Sequence, residues 1–431
     1  MSTAQHITHQ PHQSAPTTKQ HSTPAPKQPN NPQKLPQSAQ RIVQYLAAHH
    51  NATKQELKTA CNLSLPTINH AVSTLQAQHI IVESERRAST GGRAALAYAY
   101  NPNHRIALGV SVNNAHVVVI ATDMRGNIVL TTERTMVLRT DSTADIPVCV
   151  EIIRTAITQL ERNPLYGPVA GITITVSTNK PNAALRPANL PVTLTTMWSA
   201  DAFERALHIP CTMVTHTLAN AQAELTQQSV QSAIFLCIGT HPDGIVMING
   251  RALQPPVLQA TSPRITRSTR SNTALSQPAP TASPLSSRFA HMPVDPNGPQ
   301  CSCGQHGCFT ALCSLSTLPE DYESIPGFFS VLDQGEAEHK RRMNTWLSNI
   351  AHVIVLAQSF IDLPVIIGGD AAMFLADDDF HALQQRVHQL STIPTQSPIL
   401  RSVSMQHQDA YGAAILIALR ERERYGTLAS Q

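Results

Sequence analysis

The stretch His291-Met-Pro-Val-Asp-Pro-Asn-Gly-Pro-Gln-Cys301-Ser-Cys303-Gly-Gln-His-Gly-Cys308 sets one histidine and three cysteines at close, irregular spacing among prolines and glycines. One imidazole and three thiolates suit tetrahedral Zn2+, and four protein ligands leave no open position for a catalytic water, so the site reads as structural. His306 offers a second imidazole as a substitute ligand. The competing readings are disulfides or small buried thiols. The first forty residues are polar with no apolar core segment, unlike a secretory leader. The expected location is the cytoplasm, where thiols stay reduced and metal is favoured over disulfide. Cys61, Cys149, Cys211, Cys237 and Cys313 stand in apolar contexts and read as small core residues.

Outward from that loop, 431 residues suffice for two or three domains with cores of their own. The formal net charge of +3 makes the whole chain no polycation, so a nucleic-acid role must rest on a local basic surface. No apolar run approaches the ~20 residues that span a bilayer, and no membrane partner is expected. Residues 1–37 are rich in Pro, Gln, His, Thr and Ser, and read as a disordered tail that cannot offset its ordering entropy by burial.

From Ser38 the pattern changes. Ile42, Val43, Leu46 and Ala47 recur at helical spacing. Thr53 and Glu56 form a capping-box pair for a short helix to Ala60. Ser64 caps the next helix, whose first turn holds Pro66 and whose apolar face is Ile68, Val72 and Leu75. A strand at Ile80–Val82, a polar segment from Glu83 to Arg93 and a strand from Ala95 to Tyr100 complete a hairpin. Residues 38–103 therefore read as a winged helix-turn-helix. Thr67, Asn69, His70 and Ser73 form the polar face of its last helix, where short polar side chains can reach base edges in a major groove. The wing carries Arg86, Arg87, Gly91, Gly92 and Arg93, and an arginine beside two glycines can enter a narrow minor groove. Arg41, Lys54 and Lys58 are candidates for phosphate contacts. The partner these residues imply is double-stranded operator DNA.

Residues 104–425 alternate differently. Strands at Ile106–Val110, Val117–Ala121 and Asn127–Thr131 precede a helix from Ala144 to Leu160 and a strand from Val169 to Val176. Helices at 200–207, 219–226 and 346–360 alternate with strands at 211–214, 233–238, 245–248 and 364–369, and a helix over 410–420 ends the fold. Strands followed by alternating helices and strands, given twice, predict an α/β, two-lobed actin-like fold of the sugar-kinase kind. The Pro/Ser/Thr-rich segment 255–287 reads as a flexible insertion.

The spacing H-x9-C-x-C-x4-C, with Gly304 and Gly307 between the last two cysteines, resembles the zinc motif of the ROK family of sugar kinases and sugar-responsive repressors. The run from Thr90-Gly91-Gly92-Arg93 to Leu108-Gly109-Val110 resembles the winged helix of the ROK repressors and its junction to their kinase-like domain. The resemblance covers Ser38 to Arg424 and implies a repressor of sugar-metabolism genes. It also supplies a test for phosphoryl transfer. The family's D-x-G-G-T loop is here Ser111, Asn113, Asn114 and Ala115, and its N-D-x-N-A segment is Thr217-Leu218-Ala219-Asn220-Ala221, so leucine replaces the proton acceptor. The G-T-G-x-G loop is partly kept as Gly239 to Gly244, and Asp370 follows Gly368-Gly369 in place of a third glycine.

These departures predict a protein that is not an enzyme. Asn220, Arg288 and His291 are the residues expected to meet a ligand, and Arg288 favours a sugar acid or phosphosugar over a neutral sugar. A homodimer or homotetramer on a pseudo-palindromic site is the expected assembly. Two other readings stand beside it. One is an active sugar kinase with an accessory DNA-binding domain; the other is a ligand-independent DNA-binding protein with a vestigial pocket.

Overall fold

The computed structural model describes residues 35–89, 92–113, 115–139, 142–176, 198–253, 289–393, 395–403 and 405–425. Most of the 1–37 tail and the whole 255–287 insertion lie outside these residues, as do Gly91 and Arg288. Leu35 is already buried, and helix α1 (Gln37–Ala48) begins at Gln37.

The N-terminal module is α1, strand β1 (Ala52–Thr53), α2 (Lys54–Cys61), α3 (Leu65–Ala77), β2 (Ile81–Ser89) and β3 (Gly92–Tyr100). Both caps form as their side chains dictate. Thr53 accepts from the Glu56 amide and Glu56 accepts from the Thr53 amide, while Ser64 accepts from the Thr67 amide. Asn62 closes α2 in the left-handed region at φ 50°, which a short polar side chain tolerates better than most. The strands take in most of the polar segment expected from Glu83 to Arg93, β2 reaching Ser89 and β3 starting at Gly92. They pair antiparallel, with β1 on the other edge of β3.

Among the described residues of the remaining chain, the strands form two sheets of like design. The first joins β4 (Ile106–Val112), β5 (His116–Thr122), β6 (Ile128–Thr135), β7 (Val169–Val176) and β8 (Cys211–Thr215) in the order β6-β5-β4-β7-β8. The second joins β9 (Ala233–Cys237), β10 (Asp243–Ile248), β11 (Arg251–Ala252), β12 (Val365–Gly368) and β13 (Ile399–Arg401) in the order β11-β10-β9-β12-β13. Each is an antiparallel meander extended by two parallel strands. Helices α4 (Ile146–Glu161) and α5 (Ala200–Leu207) cover the first sheet. The second carries α7 (Phe309–Leu312), α8 (Ile325–Asp333), α9 (Ala337–Gln358), α10 (Ala371–Phe374) and α11 (Asp377–Leu390). The α/β duplication expected from the pattern is therefore present.

Two helices join the halves. α6 (His216–Gln227) leaves the first sheet for the second, and α12 (Gln408–Arg424) returns. They touch at backbone distance: a Cβ on Gly412 would lie 1.8 Å from the Ala219 carbonyl oxygen. A Cβ on Gly109 of β4 would lie 1.9 Å from the Ala410 carbonyl oxygen and 2.5 Å from the Ala414 nitrogen. Gly109→Ala is therefore expected to destabilise the fold by about 1–3 kcal/mol or more through overpacking. Thermal melting of the variant would read this as a midpoint several degrees lower, and an unchanged midpoint would show that the crossing relaxes freely.

Candidate functional site

The metal-binding candidate is a loop built on turns. Gly304 and Gly307 adopt φ +90° and +58°, and a Cβ on Gly307 would strike the Asp295 carbonyl oxygen at 1.6 Å. The amide of Cys301 donates to the Gln305 carbonyl at 2.7 Å and that of Gly307 to the Pro299 carbonyl at 2.8 Å, folding the cysteine segment back on itself. His291 ends a short 3-10 turn, Phe289–His291. The ligand atoms of His291, Cys301, Cys303 and Cys308 all lie within 4.8 Å of one another. Cys301 Sγ is 3.3 Å from His291 Nδ1, and Cys303 Sγ is 3.6 Å from Cys308 Sγ. No disulfide links the cysteines among the described residues.

A tetrahedral zinc with sulfur bonds of about 2.3 Å would hold two sulfurs roughly 3.8 Å apart, so the donor set fits such an ion. Burial and the facing thiols push Cys308 up to about 12. His306 turns away, its Nδ1 lying 3.1 Å from the Gly298 carbonyl. Burial pushes Cys149 and Cys211 up to about 12 and Cys313 higher still, as unreactive core thiols require.

This loop buttresses the cleft between the halves. Phe289 packs on Gly244 of β10, where a Cβ would meet its ring at 2.6 Å. Just past Cys313, the Ser314 hydroxyl donates to the Thr240 carbonyl at 2.7 Å and the Leu315 amide to the Gly239 carbonyl at 2.9 Å.

The segments compared above with phosphate loops are occupied by side chains. Asn113 Oδ1 accepts from the amides of Ala115 (3.0 Å) and His116 (2.8 Å), so the turn after β4 satisfies its own donors. Asp370 reaches the second loop, its Oδ2 3.1 Å from the point where a Gly239 Cβ would stand. Burial holds the Asp370 carboxyl above its usual range. Asp243 is buried, accepts from the Thr217 hydroxyl at 2.8 Å, and caps the Gly244 amide at 2.8 Å. Leu218 packs toward the cluster of Phe235, Met247 and Ile366. Asn220 is half-buried and hydrogen-bonds Cys237.

Sequence reasoning missed a cluster at the base of this cleft. Asp409 Oδ2 accepts from Ser111 Oγ at 2.5 Å and lies 2.6 Å from His216 Nδ1. Its partners come from β4 and from the first residue of α6, 298 and 193 positions away in the chain, so local pattern holds no signal for it. Burial is the largest influence on Asp409 and works to raise it. The hydrogen bond and charge of His216, with the Ser111 and Ala410 donors, outweigh burial and hold it below the usual carboxylate range.

On the N-terminal module, Asn69, His70 and Ser73 are exposed together on α3. Thr67 is half-buried, its hydroxyl 2.8 Å from Ser64 Oγ, which ties it to the cap. Arg86, Arg87, Gly92 and Arg93 lie on the β2–β3 ribbon, with Arg86 opposite Leu96 and Arg87 opposite Ala95. Arg41 and Lys58 are exposed, and Lys54 lies 5.7 Å from the Tyr98 ring centroid.

Residues 283–420 match the model of the ROK family. The xylose repressor of Bacillus subtilis (strain 168) is 24% identical over 274 residues, which span 62% of each chain. That of Bacillus spizizenii is 23% identical over 301 residues, 68% of this chain and 70% of the relative. A crystal structure of a ROK family transcriptional regulator, a homologue of the E. coli MLC protein, superposes with TM-score 0.65 at 17% identity, covering 91% of this chain and 98% of that one. The ROK hexokinase of Thermus thermophilus superposes with TM-score 0.57 at 17% identity, covering 74% and 99%. Both likenesses concern the fold.

A folded-state value below the unfolded one means that Asp409 contributes stability above about pH 4, lost as pH falls through its folded value. Asp409→Asn should lower the melting midpoint at neutral pH by several degrees, with the gap to wild type closing as pH falls below about 4. Parallel curves over that range would contradict the assignment.

Proposed function

We propose that this ROK-family chain is a transcriptional repressor of sugar-metabolism genes, with the N-terminal module as a winged helix that binds operator DNA. The kinase-like halves would sense a sugar and would not phosphorylate it. The observation that carries this reading is the filled phosphate cradle. Asn113 occupies the first turn's amides and Asp370 places a carboxylate against Gly239, where a nucleotide phosphate would need donors. Leu218 cannot accept a proton. The wider span of the match to a ROK transcriptional regulator than to a ROK hexokinase supports the DNA-binding module.

In this reading Asn69, His70 and Ser73 face the major groove, with Thr67 setting the entry of α3. The ribbon that carries Arg86, Arg87, Gly92 and Arg93 follows the backbone or minor groove, with Gly91 the other glycine expected to allow close approach. A symmetric homodimer, alone or within a homotetramer, would present two such modules to a pseudo-palindrome. His291, Cys301, Cys303 and Cys308 would hold Zn2+, which fixes the loop against β10 and Gly239 and so couples metal to the shape of the cleft. Asn220 and His291 lie within the ligand-sensing half of this scheme, and Arg288 would join them for an acidic or phosphorylated sugar.

The deciding experiment is binding of the full-length chain to tiled upstream DNA with nonspecific competitor, across D-xylose, other sugars, sugar acids and phosphosugars. One protected fragment released by one compound class is the expected outcome. Asn69→Ala should weaken that complex by about 1–3 kcal/mol while sparing nonspecific binding. Sugar-dependent ATP turnover would reject the inactive-domain reading, and a fragment that no compound releases would favour a vestigial pocket.

Metal analysis should find one zinc per chain. Cys308→Ser is expected to lose the metal and to melt several degrees lower; a zinc-free wild type of equal stability would remove zinc from the scheme.

A further inference from the structure

α12 and β4 lie side by side in opposite directions, joined at matched points from the cleft to the N-terminal module. At the cleft end, Ser111 of β4 donates to Asp409 in the first turn of α12. Next, Gly109 meets the backbone of Ala410 and Ala414. Arg105 then meets the buried Glu421 at 3.1 Å, and Arg424 closes on the same carboxylate at 2.7 Å. At the far end, His104 Nε2 lies 3.0 Å from the Tyr425 hydroxyl.

The far end of α12 is part of the N-terminal module's core. Ala414, Ile417, Ala418 and Tyr425 share one apolar cluster with Ile42, Leu46, Val72 and Tyr100. Gln44 of α1 donates to the Tyr425 carbonyl at 3.2 Å. The cleft end is pinned to the other crossing helix, because Asp409 also holds His216, the first residue of α6. The 17 residues of α12 span about 25 Å at 1.5 Å per residue. Gly109 and Gly412 leave its first two turns no slack, and Ile417 and Ala418 seat its second half in the module's core, so displacement of one end is carried to the other.

We propose that α12 carries the state of the cleft to the DNA-binding module, with Asp409 as the positioning residue that sets its near end. This rests on the repressor reading for its purpose, although the mechanical link stands apart from it. A ligand that changes the angle between the halves must break or re-form the Asp409 contacts to Ser111 and His216. The changed tilt then reaches the module through Glu421 and Tyr425.

Hydrogen exchange on the full-length chain tests the link without DNA or effector. Asp409→Asn should speed exchange at least about fivefold in α1 and β3, at the far end of the helix. Coupling is reciprocal, so Tyr425→Phe should speed exchange in the first turns of α6 and α12. Val387→Ala, in the buried face of α11, serves as a control for general loosening. Should Asp409→Asn fail to fold, Ser111→Ala breaks the same contact more gently. Exchange confined to each substitution's own end, or a Val387→Ala pattern matching the other two, would overturn the proposal. Operator binding measured in parallel separates the two claims. A wild type that binds no DNA would sink the repressor reading and leave the exchange result to decide the link.

Discussion

The crossing of α12 over β4 and α6 at backbone distance is the constraint on which the molecule depends. A helix normally packs on its neighbours through side chains, at 8–10 Å between axes. Here Gly109 and Gly412 remove the Cβ atoms that would hold the elements apart, and Ala410, Ala413 and Ala414 keep the rest of the seam small. The closeness fixes the angle between the two sheets. At either end of the helix an acidic side chain, Asp409 or Glu421, finds partners from other elements.

The cleft beside this seam has kept the shape of a phosphate-binding fold and changed its charge. Backbone amides at a turn and glycines at a strand end are anion sites only while nothing nearby competes for them. Asn113 competes for the first, and Asp370 places negative charge against the second. Asp243 adds a further buried carboxylate, held by Thr217 and the Gly244 amide. Two carboxylates, Asp243 and Asp370, therefore stand near the second loop.

Legibility in the sequence followed the range of the interaction. Thr53 with Glu56, and Ser64 with Pro66, act within one helical turn, so their caps form as written. The four side chains from His291 to Cys308 meet within one loop, and their spacing had already grouped them. Helix ends were less so. α6 begins at His216 because Thr215 caps it, three residues before the apolar pattern starts. α9 begins at Ala337 because Glu336 caps a first half too charged to show a stripe. α11 buries only Leu383 and Val387, too few for a period to emerge.

Nothing local could have announced Asp409. Near the cleft it is one acid at the start of a helix, which sequence reasoning assigns to the helix dipole. Its meaning comes from Ser111 and His216, which the fold brings from remote parts of the chain. The replacement of an acid by Ser111 in the first loop then changes sense. Read alone it is a lost acid of the first loop; beside Asp409 it is a hydroxyl donor that ties β4 to α12. A residue that looks like decay in the sequence is, in three dimensions, one end of the seam that joins the cleft to the N-terminal module.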